Sequence, residues 1–214
     1  MIVTRKKEIG SVLDMLKDCK SVFLIGCAQC ATVCKTGGEQ QLCDMQALLE
    51  AEGKLVTGKA ILDPACHLVK VKQLAYQNKA FMKNSDAILA LTCGDGVQVI
   101  KDGFPDKMVL PALDTLFLGE FERGGYFSQK CVLCGDCIID KTDAVCPITM
   151  CAKGLLNGPC GGSKNRKCEV DRSTDCAWIL IYERLKASRR IEDMERITGP
   201  RDYSLQLKPQ KVII

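Results

Sequence analysis

The spacing of apolar residues divides the chain into alternating elements. In residues 7–20, KEIGSVLDMLKDCK, Ile9, Val12, Leu13 and Leu16 recur at helical intervals and mark one face. A continuous apolar run follows, Val22-Phe23-Leu24-Ile25, typical of a strand buried on both faces, and it ends at Gly26-Cys27. Residues 38–52 return to helical spacing, with Leu42, Met45, Leu48 and Leu49 apolar. A strand is expected over 54–62, a helix over 67–84 and a second buried strand over 86–92, ending at Cys93. A short helix starts near Asp95. Residues 108–113 make a further strand, weakened by Pro111, which has no N–H for a ladder. Strands alternating with helices predict an α/β fold with an N-terminal parallel sheet of the Rossmann or flavodoxin-like kind.

The pattern then changes. Residues 119–130, GEFERGGYFSQK, read as a linker. Within 131–176 apolar residues are sparse and Gly and polar residues abound, so this segment is expected to need metal to fold. Residues 177–187, AWILIYERLKA, form an amphipathic helix capped by Asp175 or Thr174, and a second short helix over 189–197 stops before Gly199-Pro200. The tail, 205–214, ends in Val212-Ile213-Ile214 and reads as a docking segment. The expected division is 1–122 as the α/β domain, 123–176 as a cysteine-rich metal-binding domain, and 177–214 as helices and apolar tail.

Bulk composition narrows the function classes. The chain has 214 residues, enough for one large domain or two small ones, and a net charge of +4. That charge is too mild to suggest nucleic acid, and 5% aromatic residues with one Trp make base stacking improbable. The first ten residues lack a signal-peptide core, and no apolar stretch nears the roughly 20 residues that span a bilayer. A cytoplasmic protein without membrane insertion is expected.

Fifteen cysteines change the picture most. Thiols in the cytosol stay reduced, so these are ligands or core residues rather than disulfides. Eight fall within 131–176: Cys131, Cys134 and Cys137 are spaced C-x2-C-x2-C, Cys146 precedes Pro147, and Cys151, Cys160, Cys168 and Cys176 follow. A C-x2-C-x2-C triplet followed by Cys-Pro is how ferredoxin-like segments hold a cubane. Cys131, Cys134, Cys137 and Cys146 are therefore candidate ligands of a [4Fe-4S] cluster. Cys151, Cys160, Cys168 and Cys176 suffice for a further cluster or one structural Zn, and spacing does not decide which four belong together. The alternative for the whole block is a structural zinc-binding interaction protein.

An earlier triplet, Cys27, Cys30 and Cys34, is spaced C-x2-C-x3-C. Its fourth ligand is expected to be Cys93, because Cys27 and Cys93 both follow a strand and a parallel sheet presents such residues at one edge. Cys66 is the next candidate, and a zinc site or redox thiol pair is the competing reading. The N–H groups of Lys35-Thr36-Gly37-Gly38 are expected to reach cluster sulfurs. Cys19 and Cys43, inside helices, are expected in the core. His67, the only histidine, reads as a surface or core residue, and Lys164, Arg166 and Lys167 as a solvated loop. Gly94 and Gly96 complete no dinucleotide fingerprint, and there is no Walker, G-x-S-x-G or H-E-x-x-H motif, so no independent active site is expected.

The run Cys131-Val-Leu-Cys134-Gly-Asp-Cys137, Cys146-Pro147, Cys151-Ala-Lys-Gly-Leu-Leu-Asn-Gly-Pro-Cys160-Gly-Gly and Asp175-Cys176-Ala-Trp-Ile-Leu-Ile-Tyr-Glu-Arg184-Leu185 closely resembles the methylenetetrahydrofolate reductase C-terminal domain family. Gly26-Cys27-Ala-Gln-Cys30-Ala-Thr-Val-Cys34-Lys-Thr-Gly-Gly and Cys93-Gly-Asp-Gly-Val-Gln98 fit its pattern as well, and the resemblance runs to about Tyr203. Stand-alone members look like the small, MetV-type iron–sulfur subunit of two-subunit methylenetetrahydrofolate reductases of acetogenic bacteria. The resemblance implies two or three [4Fe-4S] clusters, at most one Zn, and a role in one-carbon metabolism of the Wood–Ljungdahl kind. It also implies a large partner subunit carrying FMN and the folate site, with electrons exchanged with ferredoxin, a heterodisulfide-reductase-like complex or an Rnf-related subunit.

Overall fold

The computed structural model describes residues 1–206 and 209–212. The chain divides into two compact units, Met1–Phe117 and Leu118–Ile214. Part of the expected docking tail, at 207, 208, 213 and 214, lies outside the described residues.

The first unit contains β1 (Ile2–Lys6), α1 (Ile9–Met15), β2 (Ser21–Cys27), the single turn α2 (Cys30–Val33), α3 (Glu39–Ala51), β3 (Leu55–Leu62), α4 (Leu68–Gln77), α5 (Lys79–Lys83), β4 (Ala87–Leu91), α6 (Gly94–Gly103) and β5 (Met108–Pro111). Four strands form a parallel sheet in the order β3-β2-β4-β5. In the two inner strands Phe23, Leu24, Ile25, Ile88, Leu89 and Leu91 are all buried, as a parallel sheet covered on both faces requires. The α/β class expected from the sequence is therefore observed. Asp86 fastens the start of the sheet: its carboxylate accepts the N–H groups of Lys20 and Ser21 at 2.7 and 2.8 Å.

Several boundaries differ from expectation. The helix expected over 7–20 stops at Met15, and Lys54 Nζ satisfies the carbonyls of Leu16 and Cys19, each at 2.7 Å. The helix expected over 67–84 breaks at Asn78 into α4 and α5. The helix near Asp95 is not short; it runs Gly94–Gly103. Residues 2–6, too charged to attract notice, form β1.

A second sheet has the order β1-β6-β7, with β6 at Leu113–Phe121 and β7 at Phe127–Cys131. The expected linker over 119–130 is thus a hairpin. Phe121 opposes Phe127, their ring centroids lie 5.2 Å apart, and Gly124 and Gly125 turn the chain at φ of 87° each. Turn glycines and two facing aromatics form a hairpin signal that the charged residues disguised.

The second unit continues with the single turn α7 (Pro147–Met150) and α8 (Ala177–Ala187). Its small core is Val145, Cys176, Trp178, Ile181 and Leu185, with Met150, Cys151 and Leu155 packed against it. Trp178 Nε1 donates to the Leu155 carbonyl at 3.2 Å. A Cβ at Gly158 would stand 2.5 Å from that indole, so only glycine fits there. The cap of α8 is Cys176, not Asp175 or Thr174: the former pairs with Lys167 at 2.7 Å and the latter bonds back to Asp171. The helix expected over 189–197 is a shorter 3-10 segment, Ile191–Glu195.

Candidate functional site

Adjacent strands of the parallel sheet place three cysteines at its carboxyl edge. Cys27 ends β2; Cys66 lies just beyond β3; Cys93 follows β4 and caps α6. Cys27 is buried, Cys93 partly buried and Cys66 exposed. The three are near enough to feel one another's charge. Although Cys66 is exposed overall, partial desolvation of its thiol raises it first, then Asp95, with the Cys93 and Cys27 thiols adding to it. Burial likewise raises Cys93, opposed by the N–H groups of Gly96 and Asp95 that point at its sulfur.

Cys30 and Cys34 face another way. Cys30 opens α2 and Cys34 caps its C-terminal end; Ile2 N donates to Cys30 Sγ at 3.4 Å and Cys34 Sγ donates to the Ile2 carbonyl at 3.7 Å. The loop beyond them is pinned against the sheet, since a Cβ at Gly37 would fall 1.8 Å from the Leu91 carbonyl oxygen. Its N–H groups are already committed. Lys35 donates to Thr32, Thr36 and Gly37 to Ala31, and Gly38 to the Gln41 side chain. The expectation that these amides serve cluster sulfurs is corrected: the protein itself uses them.

Cys43 also departs from expectation. Cys19 is buried, but Cys43 is exposed, with Lys59 Nζ 3.1 Å from its sulfur. His67 is exposed and caps α4. Arg166 and Lys167 pair with Glu183 and Asp175 at 2.5 and 2.7 Å.

In the second unit Cys131 ends β7 and receives the Leu133 N–H at 3.3 Å. Cys146 caps α7 and receives the Thr149 hydroxyl at 3.4 Å. A cleft of about 300 Å³ opens beside it, bordered by Lys130, Met150 and Arg184. Cys160 receives the Gly162 N–H at 3.4 Å. The N–H groups of Asp171 and Val170 hold the Cys168 thiol below its usual value. Cys93, Cys131, Cys160 and Cys168 thus share one device: a sulfur facing the amide two residues ahead. Such amides stabilise thiolates and the metals that they hold.

Among the described residues, no three His, Cys, Asp or Glu side chains form a group able to hold a single metal ion. Donors to one ion converge closely, at about 2.3 Å for zinc–sulfur. A cubane takes its thiolates at its outer corners, farther apart. The donor chemistry, soft sulfur with backbone N–H groups turned toward it, suits a metal–sulfur group.

Residues 110–204 match the family described as methylene-tetrahydrofolate reductase C terminal. The match covers somewhat less than half of the chain and contains every cysteine from Cys131 to Cys176. No curated protein and no solved structure matches the chain. Within the matched segment sequence reasoning missed Arg201, whose Nη2 donates to Cys134 Sγ at 3.1 Å. An arginine so far along the chain from its thiol leaves no spacing signal. No helix among the described residues is long and apolar enough to cross a membrane.

Proposed function

We propose that this chain is an iron–sulfur electron-transfer subunit of a methylenetetrahydrofolate reductase, exchanging single electrons with the FMN of a large partner subunit. The observation that carries the reading is the match over 110–204 to a reductase C-terminal family, in a segment holding eight free thiols. When bound, clusters supply one-electron steps at potentials set by their surroundings. Cys131, Cys134, Cys137 and Cys146 would hold one. Cys27, Cys30, Cys34 and Cys93 would hold another, with Cys66 the alternative to Cys93 as the fourth ligand. The chain's own part is to fix the thiols. The Leu133 amide and Thr149 hydroxyl orient Cys131 and Cys146, the Gly96 and Asp95 amides orient Cys93, and the packed strands keep water from Cys27. Folate chemistry belongs to the partner. Ferredoxin, a heterodisulfide-reductase-like complex or an Rnf-related subunit would serve as the outside electron partner.

A structural zinc at Cys151, Cys160, Cys168 and Cys176 is the second reading for that quartet. It is favoured by the small ribbon that joins Lys164 to Lys167 and Lys167 to Asp175 around Cys168. Anaerobic purification with elemental analysis and electron paramagnetic resonance tests both. The expected result is several irons with acid-labile sulfide, reducible signals and at most one zinc, with one cluster signal missing in Cys134→Ser. Colourless protein containing zinc alone would sink the electron-transfer reading.

A further inference from the structure

The side chain of Arg201 is 2% exposed, and its charge is largely unanswered. Nη2 donates to Cys134 Sγ at 3.1 Å, and the nearest carboxylate, Asp136, stands 3.7 Å away and is itself 54% exposed. Nε and Nη1 are buried without any hydrogen-bond partner, and they are the side-chain atoms in that condition among the described residues. A guanidinium cannot escape by losing its proton. Folded proteins rarely leave such donors empty, because an unpaired buried charge is strongly unfavourable.

The placement is specific. Gln206 Nε2 bonds the Val132 carbonyl at 3.2 Å, and Asp202 closes a turn onto the Ser204 N–H at 2.9 Å, so the segment carrying Arg201 is fastened to the 131–137 loop. That loop is opened by left-handed backbone at Leu133 (φ 55°) and Gly135 (φ 79°), and Cys134 is buried within it. A neutral thiol is a weak acceptor and no counter-charge. The missing partner is an anion at this loop offering more than one acceptor. A metal–sulfur group on these thiolates has that character: its acceptors are sulfurs, its net charge is negative, and it becomes more negative on reduction.

We propose that Arg201 is the fixed counter-charge of the metal–sulfur group held by Cys131, Cys134, Cys137 and Cys146. It is a positioning residue that favours the reduced form. The inference rests on the iron–sulfur reading above. A positive charge held in a poorly solvated site stabilises the more negative oxidation state and so raises the potential.

The test uses the full chain, purified anaerobically, with Arg201→Gln and Arg201→Lys compared with the parent by iron content and by redox titration followed by electron paramagnetic resonance. In Arg201→Gln the reduction equilibrium of one cluster should fall about tenfold, ~59 mV for a single electron. Arg201→Lys should recover most of that shift. A Gln variant that loses one cluster while the Lys variant keeps it also supports the proposal. A Gln variant with parental iron and potentials overturns it and leaves the electron-transfer reading standing. Variants that fail alike assign Arg201 a purely structural role and overturn it too. A parent without iron removes both.

Discussion

The first unit buries Phe23, Leu24, Ile25, Ile88, Leu89 and Leu91 in two adjacent strands, whereas the second gathers Val145, Cys176, Trp178, Ile181 and Leu185 around one helix. A buried side chain of that size contributes about 1.5–3 kcal/mol, so burial favours the first unit far more than the second. Backbone strain is distributed the opposite way. Lys35 is the left-handed non-glycine in the first unit; Leu133, Asp143, Ala144, Asn165, Arg166 and Arg189 are those of the second, among the described residues. Such conformations cost about 1–3 kcal/mol each and persist only where surroundings enforce them. The contrast teaches that aliphatic packing is concentrated in one unit, while the other combines a smaller core with more left-handed backbone and eight free thiols; under the proposed iron–sulfur reading, those thiols supply its further source of order.

The strongest way to break this comparison is to strip metal. Under anaerobic chelation the second unit should lose its fold, and the emission of Trp178, the chain's single tryptophan, should move to that of exposed indole. Hydrogen exchange at β2 and β4 should stay slow. Unshifted emission would mean that the small core suffices. Next in size is Leu24→Ala, at a site 0% exposed in β2. It should cost about 2–5 kcal/mol in denaturant titration followed by circular dichroism, and a loss near zero would mean that the sheet repacks around the gap. The smallest effect concerns Asp86. The N–H groups of Ser21 and Lys20 hold its carboxyl below the usual value of 3.8. Its contribution is therefore complete above about pH 4 and disappears as pH falls through the lowered folded value. Asp86→Asn should melt slightly below the parent at neutral pH, and the difference should close in acid; a constant difference would refute this role for its charge.

Legibility in the sequence followed the same division. Runs such as Val22–Ile25 and the spacing of Leu42, Met45 and Leu49 announced β2 and α3, because burial on both faces or one face writes itself into periodicity. Charged β1 went unread because its partner β6 lies far along the chain, and the hairpin of β6 and β7 because charged residues disguise its turn glycines and facing aromatics. Cys27 and Cys93 were placed at one sheet edge correctly because strand ends are legible. The turning of Cys30 and Cys34 toward Ile2 and the exposure of Cys43 depend on loop paths that no local pattern encodes. Arg201 is the extreme case: it meets Cys134 only through tertiary folding.

The committed amides of Lys35, Thr36, Gly37 and Gly38 have a consequence for loading. A loop that is fully hydrogen-bonded within itself and wedged under Leu91 has little disorder left to surrender when a ligand arrives. Under the proposed iron–sulfur reading, occupancy in the first unit would then be governed by the affinity of the sulfurs alone, letting a vacated scaffold persist and be refilled without refolding.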